Sequence, residues 1–203
     1  MFAPPPMHMP RHLIISGAPS TGKSTLIRAL RAEFPELEDQ CEFILDGGRW
    51  WIEQERQAGR HVGSIDSMTT RERAAMQRGI VQYYVTRIKA AEASSKVIVS
   101  DAFFAEVYVY GLDCLAPQDL EEIRGYLEAH RDFIHVLLLP SAQLPLEQDG
   151  LRHGDEVFRT SVEQHLRAIY QEFSIVFLEP QTNTLEERVS LARGLLLQEK
   201  VYA

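Results

Sequence analysis

Gly17-Ala18-Pro19-Ser20-Thr21-Gly22-Lys23-Ser24, followed by Thr25, brackets a short loop between two glycines and closes it on a lysine and a hydroxyl. That spacing suits phosphate. The glycines permit backbone turns that aim successive N–H groups at phosphate oxygens. Lys23 is a compact cation that reaches the β- and γ-phosphates of a nucleoside triphosphate, and the Ser24 hydroxyl is a ligand for Mg²⁺. Gly17, Ala18, Pro19, Ser20, Thr21, Gly22, Lys23, Ser24 and Thr25 are therefore the candidate nucleotide-binding set, for ATP or GTP with Mg²⁺.

Two acids stand where buried strands would end. Val97-Ile98-Val99-Ser100-Asp101 is an apolar run closed by a carboxylate, the form of a Walker-B segment. Asp101 is thus the candidate metal partner of Ser24, directly or through water. Phe43-Ile44-Leu45-Asp46 ends the same way, before Gly47-Gly48-Arg49-Trp50-Trp51. Ligands of open α/β sheets bind beyond the carboxyl ends of strands. Asp46 is then placed to orient or deprotonate an acceptor hydroxyl, and Arg49 to steady an anionic group. The same spacing also fits Asp46 or Asp101 as a helix N-cap. One of Trp50 and Trp51 is a candidate to stack on an acceptor ring, the alternative being a lid over the core.

A third constellation is Asp149-Gly150-Leu151-Arg152-His153-Gly154-Asp155-Glu156-Val157-Phe158-Arg159. Glycines, arginines and acids in one loop suit a mobile lid whose cations close over transferring phosphate and exclude water. The plain alternative is a solvated turn with its arginines paired to Asp149 and Asp155. Under the lid reading the catalytic candidates are Lys23, Asp46, Arg152 and Arg159. The seven histidines are scattered, without metal-site spacing.

These groups need a frame. Short apolar runs at Leu13–Ser16, Phe43–Asp46, Val97–Asp101, Ile134–Leu139 and Ile175–Leu178 read as strands buried on both faces. Helical patterns lie between them: from Gly22 or Lys23 to Phe34, then Trp50–Ala58, Thr69–Ser94, Pro117–His130, Asp155–Phe173 and Thr184–Lys200. Thr69 with Glu72 makes a capping box. The alternation predicts an α/β, three-layer fold with a five-stranded, mainly parallel sheet flanked by helices. Residues 1–11, rich in proline, read as a disordered tail; 12–203 form a single domain, with the lid at about 142–159.

Composition removes other classes. Two cysteines, Cys41 and Cys114, cannot make a disulfide framework, so a reduced, cytoplasmic setting is expected. No apolar run is long enough to span a bilayer. With 21 Lys and Arg against 29 Asp and Glu, no basic face is available for general nucleic-acid binding, and a kinase of nucleic-acid ends is disfavoured.

From His12 to Leu197 the chain resembles the small P-loop ATPase and kinase family, a group with an AAA-type ATPase domain. That family includes the nicotinamide-riboside kinase domain of bacterial NAD-biosynthesis regulators. The matching pieces are Gly17–Thr25, Asp46–Gln54, Val97–Gly111 and the run Asp149–Arg159. The resemblance implies a nucleoside- and nucleotide-kinase-like core with a lid, and ATP with Mg²⁺ as ligands. It implies Asp101 at the metal, Arg152 and Arg159 at the phosphates, and Asp46 with Arg49 facing the acceptor. The family more often has glutamate where Asp46 stands, and a polar residue after the Walker-B aspartate where this chain has Ala102-Phe103-Phe104. At this length a nucleotidyltransferase domain beside this one is not expected. Two functions stay open. One is a small-molecule kinase moving the ATP γ-phosphoryl to a hydroxyl of a nucleoside-like metabolite. The other is a regulatory NTP-binding module gating a protein or lipid partner, with Trp50, Trp51, Phe103, Phe104, Tyr108 and Tyr110 as candidate contact residues.

Overall fold

Leu13, Ile14 and Ile15 are each at most 2% exposed, so the strand they form is covered on both faces, as only a central parallel strand is. In the computed structural model, which describes residues 12–145 and 156–197, this strand is β1, His12–Ser16. The others are β2 (Cys41–Ile44), β3 (Val97–Asp101), β4 (Ile134–Leu138) and β5 (Phe177–Leu178). They form one sheet in the order β2-β3-β1-β4-β5, parallel throughout. The helices are α1 (Lys23–Glu33), α2 (Leu37–Gln40), α3 (Gly47–Gln57), α4 (Thr70–Ala93), α5 (Phe104–Gly111), α6 (Pro117–His130), α7 (Glu156–Glu172) and α8 (Leu185–Leu197). Among the described residues, no helix is long and apolar enough to cross a membrane.

Two cores lie on the two sides of the sheet. One joins Leu13 and Ile15 to Leu26, Ile27 and Leu30 of α1 and to Val189 and Ala192 of α8. The other joins Ile14 and Val136 to α4, α5, α6 and α7. Each fully buried Leu or Ile contributes about 1.5–3 kcal/mol relative to exposure, so the alternation of Leu13, Ile14 and Ile15 between cores fastens β1 from both sides. The three-layer α/β expectation holds.

Several boundaries moved, each for a local reason. β2 ends at Ile44 and α3 begins at Gly47, because Asp46 caps that helix. Gly47 and Gly48 read as a break before Trp50, yet they are helical. A Cβ at Gly47 would lie 2.7 Å from Ile80 Cγ2, so glycine there lets α3 close on α4. β5 shrinks to two residues, since Ile175 N donates to Tyr170 O at 2.8 Å to close the end of α7. For helix α5 the sequence offered only Asp101 as a possible cap: the helix is apolar nearly all round and mostly buried, so periodicity could not reveal it. The capping box did form, with Glu72 N donating to Thr69 Oγ1 and Thr69 N to the Glu72 carboxylate.

Candidate functional site

β1 and β3 are neighbours in register, with Ile15 opposite Asp101. The chain crosses to the other side of the sheet between β3 and β4, so the crevice beyond β1 and β3 is the switch point where such folds bind ligands. The loop that leaves β1 turns through Gly17 at φ 142°, Ser20 at φ 60° and Gly22 at φ 87°. At Gly17 a Cβ would stand 2.7 Å from the Leu139 carbonyl, so a side chain is excluded on both conformation and space. Thr21 Oγ1 donates to Ala18 O at 3.0 Å and ties the loop to itself. Lys23 Nζ curls back to donate to Gly17 O at 2.8 Å and Ala18 O at 2.9 Å. The ammonium is thus held at the loop, the position from which it reaches phosphate.

Ser24 Oγ donates to Asp101 Oδ2 at 2.5 Å. The two candidate metal ligands, 77 residues apart, are therefore brought into contact. Their donor set is oxygen only, the chemistry Mg²⁺ takes, and Mg²⁺ is commonly held by one or two protein oxygens with the rest from phosphates and water. That fits the described residues, among which no cluster of three or more His, Cys, Asp or Glu forms a dedicated metal cage.

Asp46 has two jobs. Its Oδ1 accepts from Gly48 N at 2.9 Å and Arg49 N at 3.1 Å as the N-cap of α3, and Arg49 Nε lies 3.6 Å from Oδ2. The same side chain also lines a cavity of about 330 Å³ that opens beyond the phosphate loop and includes Lys23 and Asp101. Of the two sequence readings of Asp46, the structure shows the N-cap, and it puts the same side chain at the cavity wall. The Arg49 side chain is 57% exposed and paired with Asp46 at the rim.

Arg159 departs from its expected position at the phosphates. It is fully buried, and its guanidinium donates to Ser141 O at 2.8 Å, Leu144 O at 3.1 Å and Glu156 Oε1 at 2.8 Å. Its Nη2 serves two carbonyls of the loop after β4, and its Nη1 serves Glu156. Arg159 therefore anchors the start of α7 to the segment after β4. Asp149, Gly150, Leu151, Arg152, His153, Gly154 and Asp155 lie outside the described residues, as do 1–11 and 198–203. The tryptophans do not line the cavity. Trp50 stacks on Tyr83 at 4.3 Å between ring centroids, and Trp51 packs against Gly79. Phe103 and Phe104 are buried core residues, whereas Tyr110 lines the cavity beside Phe158.

Three site residues escaped sequence reasoning. Glu106 is 3% exposed and lines the cavity; Ser16 Oγ donates to its Oε1 at 2.6 Å and Phe103 N to its Oε2 at 2.8 Å. Burial raises its pKa, opposed by the Ser16 hydrogen bond and the charge of Lys23. Tyr170 O–H in turn donates to Ser16 Oγ at 2.8 Å, so the root of the phosphate loop rests on a buried relay. The second is Arg188, 3% exposed, which donates to Thr21 O at 2.9 Å and Gln143 Oε1 at 2.9 Å. Burial lowers its pKa. It ties the phosphate loop to the same post-β4 segment that Arg159 holds. Asn183 Nδ2 donates to Gln143 O at 3.1 Å and joins this tie. The third is Gln77 of α4, buried in the cavity wall. Only Glu106 had a local sign, since it falls five residues after Asp101 in a segment that resembles the family.

The family model described as an AAA domain matches residues 12–188. No curated protein matches the sequence. Among solved structures, a NadR protein in complex with NAD and AMP-PNP superposes with a TM-score of 0.60 at 18% identity, covering 97% of this chain and 51% of that one. A NadR protein in complex with NR gives 0.58 at 17%, covering 93% and 49%. A thymidylate kinase from Candida albicans gives 0.64 at 14%, covering 95% and 93%. At these identities the likeness is one of fold, and this chain spans about half the length of the NadR chains.

Proposed function

The chain belongs to the AAA-domain family, and we propose that it is an ATP-dependent phosphotransferase moving the γ-phosphoryl to a hydroxyl of a small, nucleoside-like metabolite. GTP is the alternative donor. The observation that carries this reading is the contact between Ser24 and Asp101 at the head of a cavity that also holds Asp46. A nucleotide switch needs the first feature and has no use for a chamber behind it that presents a carboxylate.

In this proposal the amides of Gly17–Thr25 bind the phosphates, and Lys23 moves from the Gly17 and Ala18 carbonyls to the β- and γ-oxygens. Ser24 and Asp101 would hold Mg²⁺, which when bound supplies neutralising charge on the phosphates. Asp46 orients the acceptor hydroxyl and takes its proton at Oδ2, while Oδ1 stays with the cap of α3. Arg49 steadies an anionic group at the rim, and Arg152 meets the transferring phosphoryl from the lid. Catalysis then rests on positioning and charge, as phosphoryl transfer requires. We place this activity in the cytoplasm, where the donor nucleotide is made available.

The test is incubation with ATP, Mg²⁺ and a panel of nucleosides, with products read by mass spectrometry. A singly phosphorylated nucleoside and an equal amount of ADP are expected. Protein that binds ATP by calorimetry yet phosphorylates none of the panel would overturn the kinase reading.

A further inference from the structure

Helix α4 presents Arg73, Gln77, Ile80 and Tyr84 to the cavity, spacings that fall on one face of a helix. The two ends of this stripe are identified by their contacts. Tyr84 O–H lies 3.5 Å from the Asp101 carbonyl, at the phosphate end. Arg73 forms an ion pair with Asp113 at 2.6 Å, at an outer end where both side chains meet solvent. The stripe is therefore a ruler laid along the acceptor chamber. Ile80 is level with the Asp46 cap, because the site of a Cβ on Gly47 is 2.7 Å from its Cγ2. Gln77 lies one helical turn further out, about 5 Å along the axis.

Gln77 is the unexplained member. It is 7% exposed, and its amide oxygen is shut off from solvent with no hydrogen-bond partner among the described residues. An unpaired buried polar atom costs about 1–3 kcal/mol, and an apolar residue of the same shape would avoid that cost. Its neighbours in the wall are apolar or aromatic: Met76, Ile80, Tyr84, Tyr110 and Phe158. As placed, the oxygen is turned away from the open space; a half-turn of the amide exchanges oxygen and nitrogen and brings the oxygen to the nitrogen's place.

Resting on the kinase reading above, we infer that Gln77 is the specificity-determining residue of the acceptor site, and that its amide pairs with a planar, uncharged ring edge bearing a donor beside an acceptor. The ruler sets where that edge sits: about one helical turn from the hydroxyl at Asp46, with the ring body against the aromatic and methionine wall. An uncharged edge suits the place, because the guanidinium one turn beyond on the same face, that of Arg73, is already paired with Asp113. Nucleobases have such an edge.

The experiment compares the wild-type chain with Gln77→Leu and Gln77→Glu. Adenosine, guanosine, cytidine, uridine and thymidine are the probes, in binding calorimetry with ADP and in transfer assays with ATP and Mg²⁺. For the nucleoside the wild type prefers, Gln77→Leu raises KM about tenfold or more with kcat held within about threefold. Gln77→Glu, which keeps an acceptor and loses the donor, changes the order of preference. The melting temperature of the ligand-free Gln77→Leu protein equals or exceeds that of wild type, since an unpaired polar atom has been removed. A ligand-free melting temperature several degrees lower would make Gln77 a structural residue and overturn the inference. Unchanged kcat/KM in Gln77→Leu would overturn it while leaving the kinase reading intact. Nucleoside binding without transfer, weakened by Gln77→Leu, would support Gln77 and sink the kinase. Absence of any nucleoside binding overturns the inference whatever the fate of ATP.

Discussion

On the kinase reading the crevice has a phosphate end, where Lys23, Ser24 and Thr21 rest on the protein's own oxygens, and an acceptor end, where the Gln77 amide oxygen has no hydrogen-bond partner among the described residues. Lys23 rests on two loop carbonyls, Ser24 on Asp101, and Thr21 on Ala18. Beneath them Ser16, Glu106 and Tyr170 form a buried relay. The chamber wall, by contrast, is mainly apolar, with the Gln77 amide oxygen unpaired among the described residues on one side and Asp46 half committed to a cap on the other. The difference is one of task. Phosphates are the same in every turnover, so the loop is built in advance and little reorganisation is left for binding. An acceptor must be told apart from its analogues, and discrimination comes from polar groups satisfied only by the right partner.

Lys23→Ala tests whether the two ends are separable, and has the largest expected effect. Transfer from ATP should fall by about 10³-fold or more, as for removal of other groups that stabilise transition-state charge. Binding of an acceptor in calorimetry should be unchanged. Parallel loss of acceptor binding would mean that the two ends act as one unit.

Asp46 stands at the seam, and two substitutions divide its roles. Asn caps helices as well as Asp does, so Asp46→Asn should keep urea stability within about 0.5 kcal/mol while transfer falls about 10²- to 10⁴-fold. Asp46→Ala should lose as much activity and about 1 kcal/mol of stability besides. An active Asp46→Asn enzyme would reduce the carboxylate to its cap and move the acceptor chemistry elsewhere in the chamber.

The same contrast explains what could be read in advance. The phosphate loop, the acid ending β3 and the capping box of α4 each depend on residues within a few positions, so their types and spacing announce them. The order of the alternating elements gave the parallel α/β sheet by the same local logic. Glu106 and Arg188 act through partners 90 and 167 residues away, a pairing visible only once the strands are laid side by side. Gln77 sits in a helix whose polar residues mostly face water, and nothing local marks it as the one turned inward. Arg159 was legible as an arginine near the lid and misplaced in role. Its burial depends on the carbonyls of Ser141 and Leu144, which become its partners only in the folded chain.

Arg159 sharpens the comparison from the lid side. If it anchors the post-β4 segment, Arg159→Met should lower stability by about 2–4 kcal/mol in urea unfolding, by leaving two carbonyls without their donor. Lysine should not rescue it, because one ammonium on a thinner stem cannot reproduce the fork. Arg152→Ala should do the reverse, slowing transfer with stability and nucleotide binding nearly intact. Equal stability losses in the two would erase the distinction between an arginine that ties α7 to the post-β4 segment and one that serves phosphate.

The smallest effect concerns the frame that both ends share. His12 begins β1, at the opposite end of that strand from the phosphate loop, and is fully buried. Neither ring nitrogen has a hydrogen-bond partner among the described residues; Phe103 meets the ring edge-on at 5.7 Å, and His130 lies 5.5 Å away. Burial first, and then the charge of His130, lower its pKa from 6.5 to about 3. The folded protein thus keeps His12 neutral where the unfolded chain takes up a proton. Between those two values the unfolded state binds more protons, so stability present above pH 6.5 is lost as pH falls through that window. From pH 6.5 to 5.5 the loss from this one group should be about 1 kcal/mol, or roughly 2–4 °C in melting temperature. His12→Leu should flatten the slope by that amount. Comparing slopes removes any constant packing cost of the substitution, and transfer at pH 7.5 should be unaffected. Parallel stability curves for the two proteins would show that His12 already carries its proton inside the fold, with a partner that the strand's surroundings must supply.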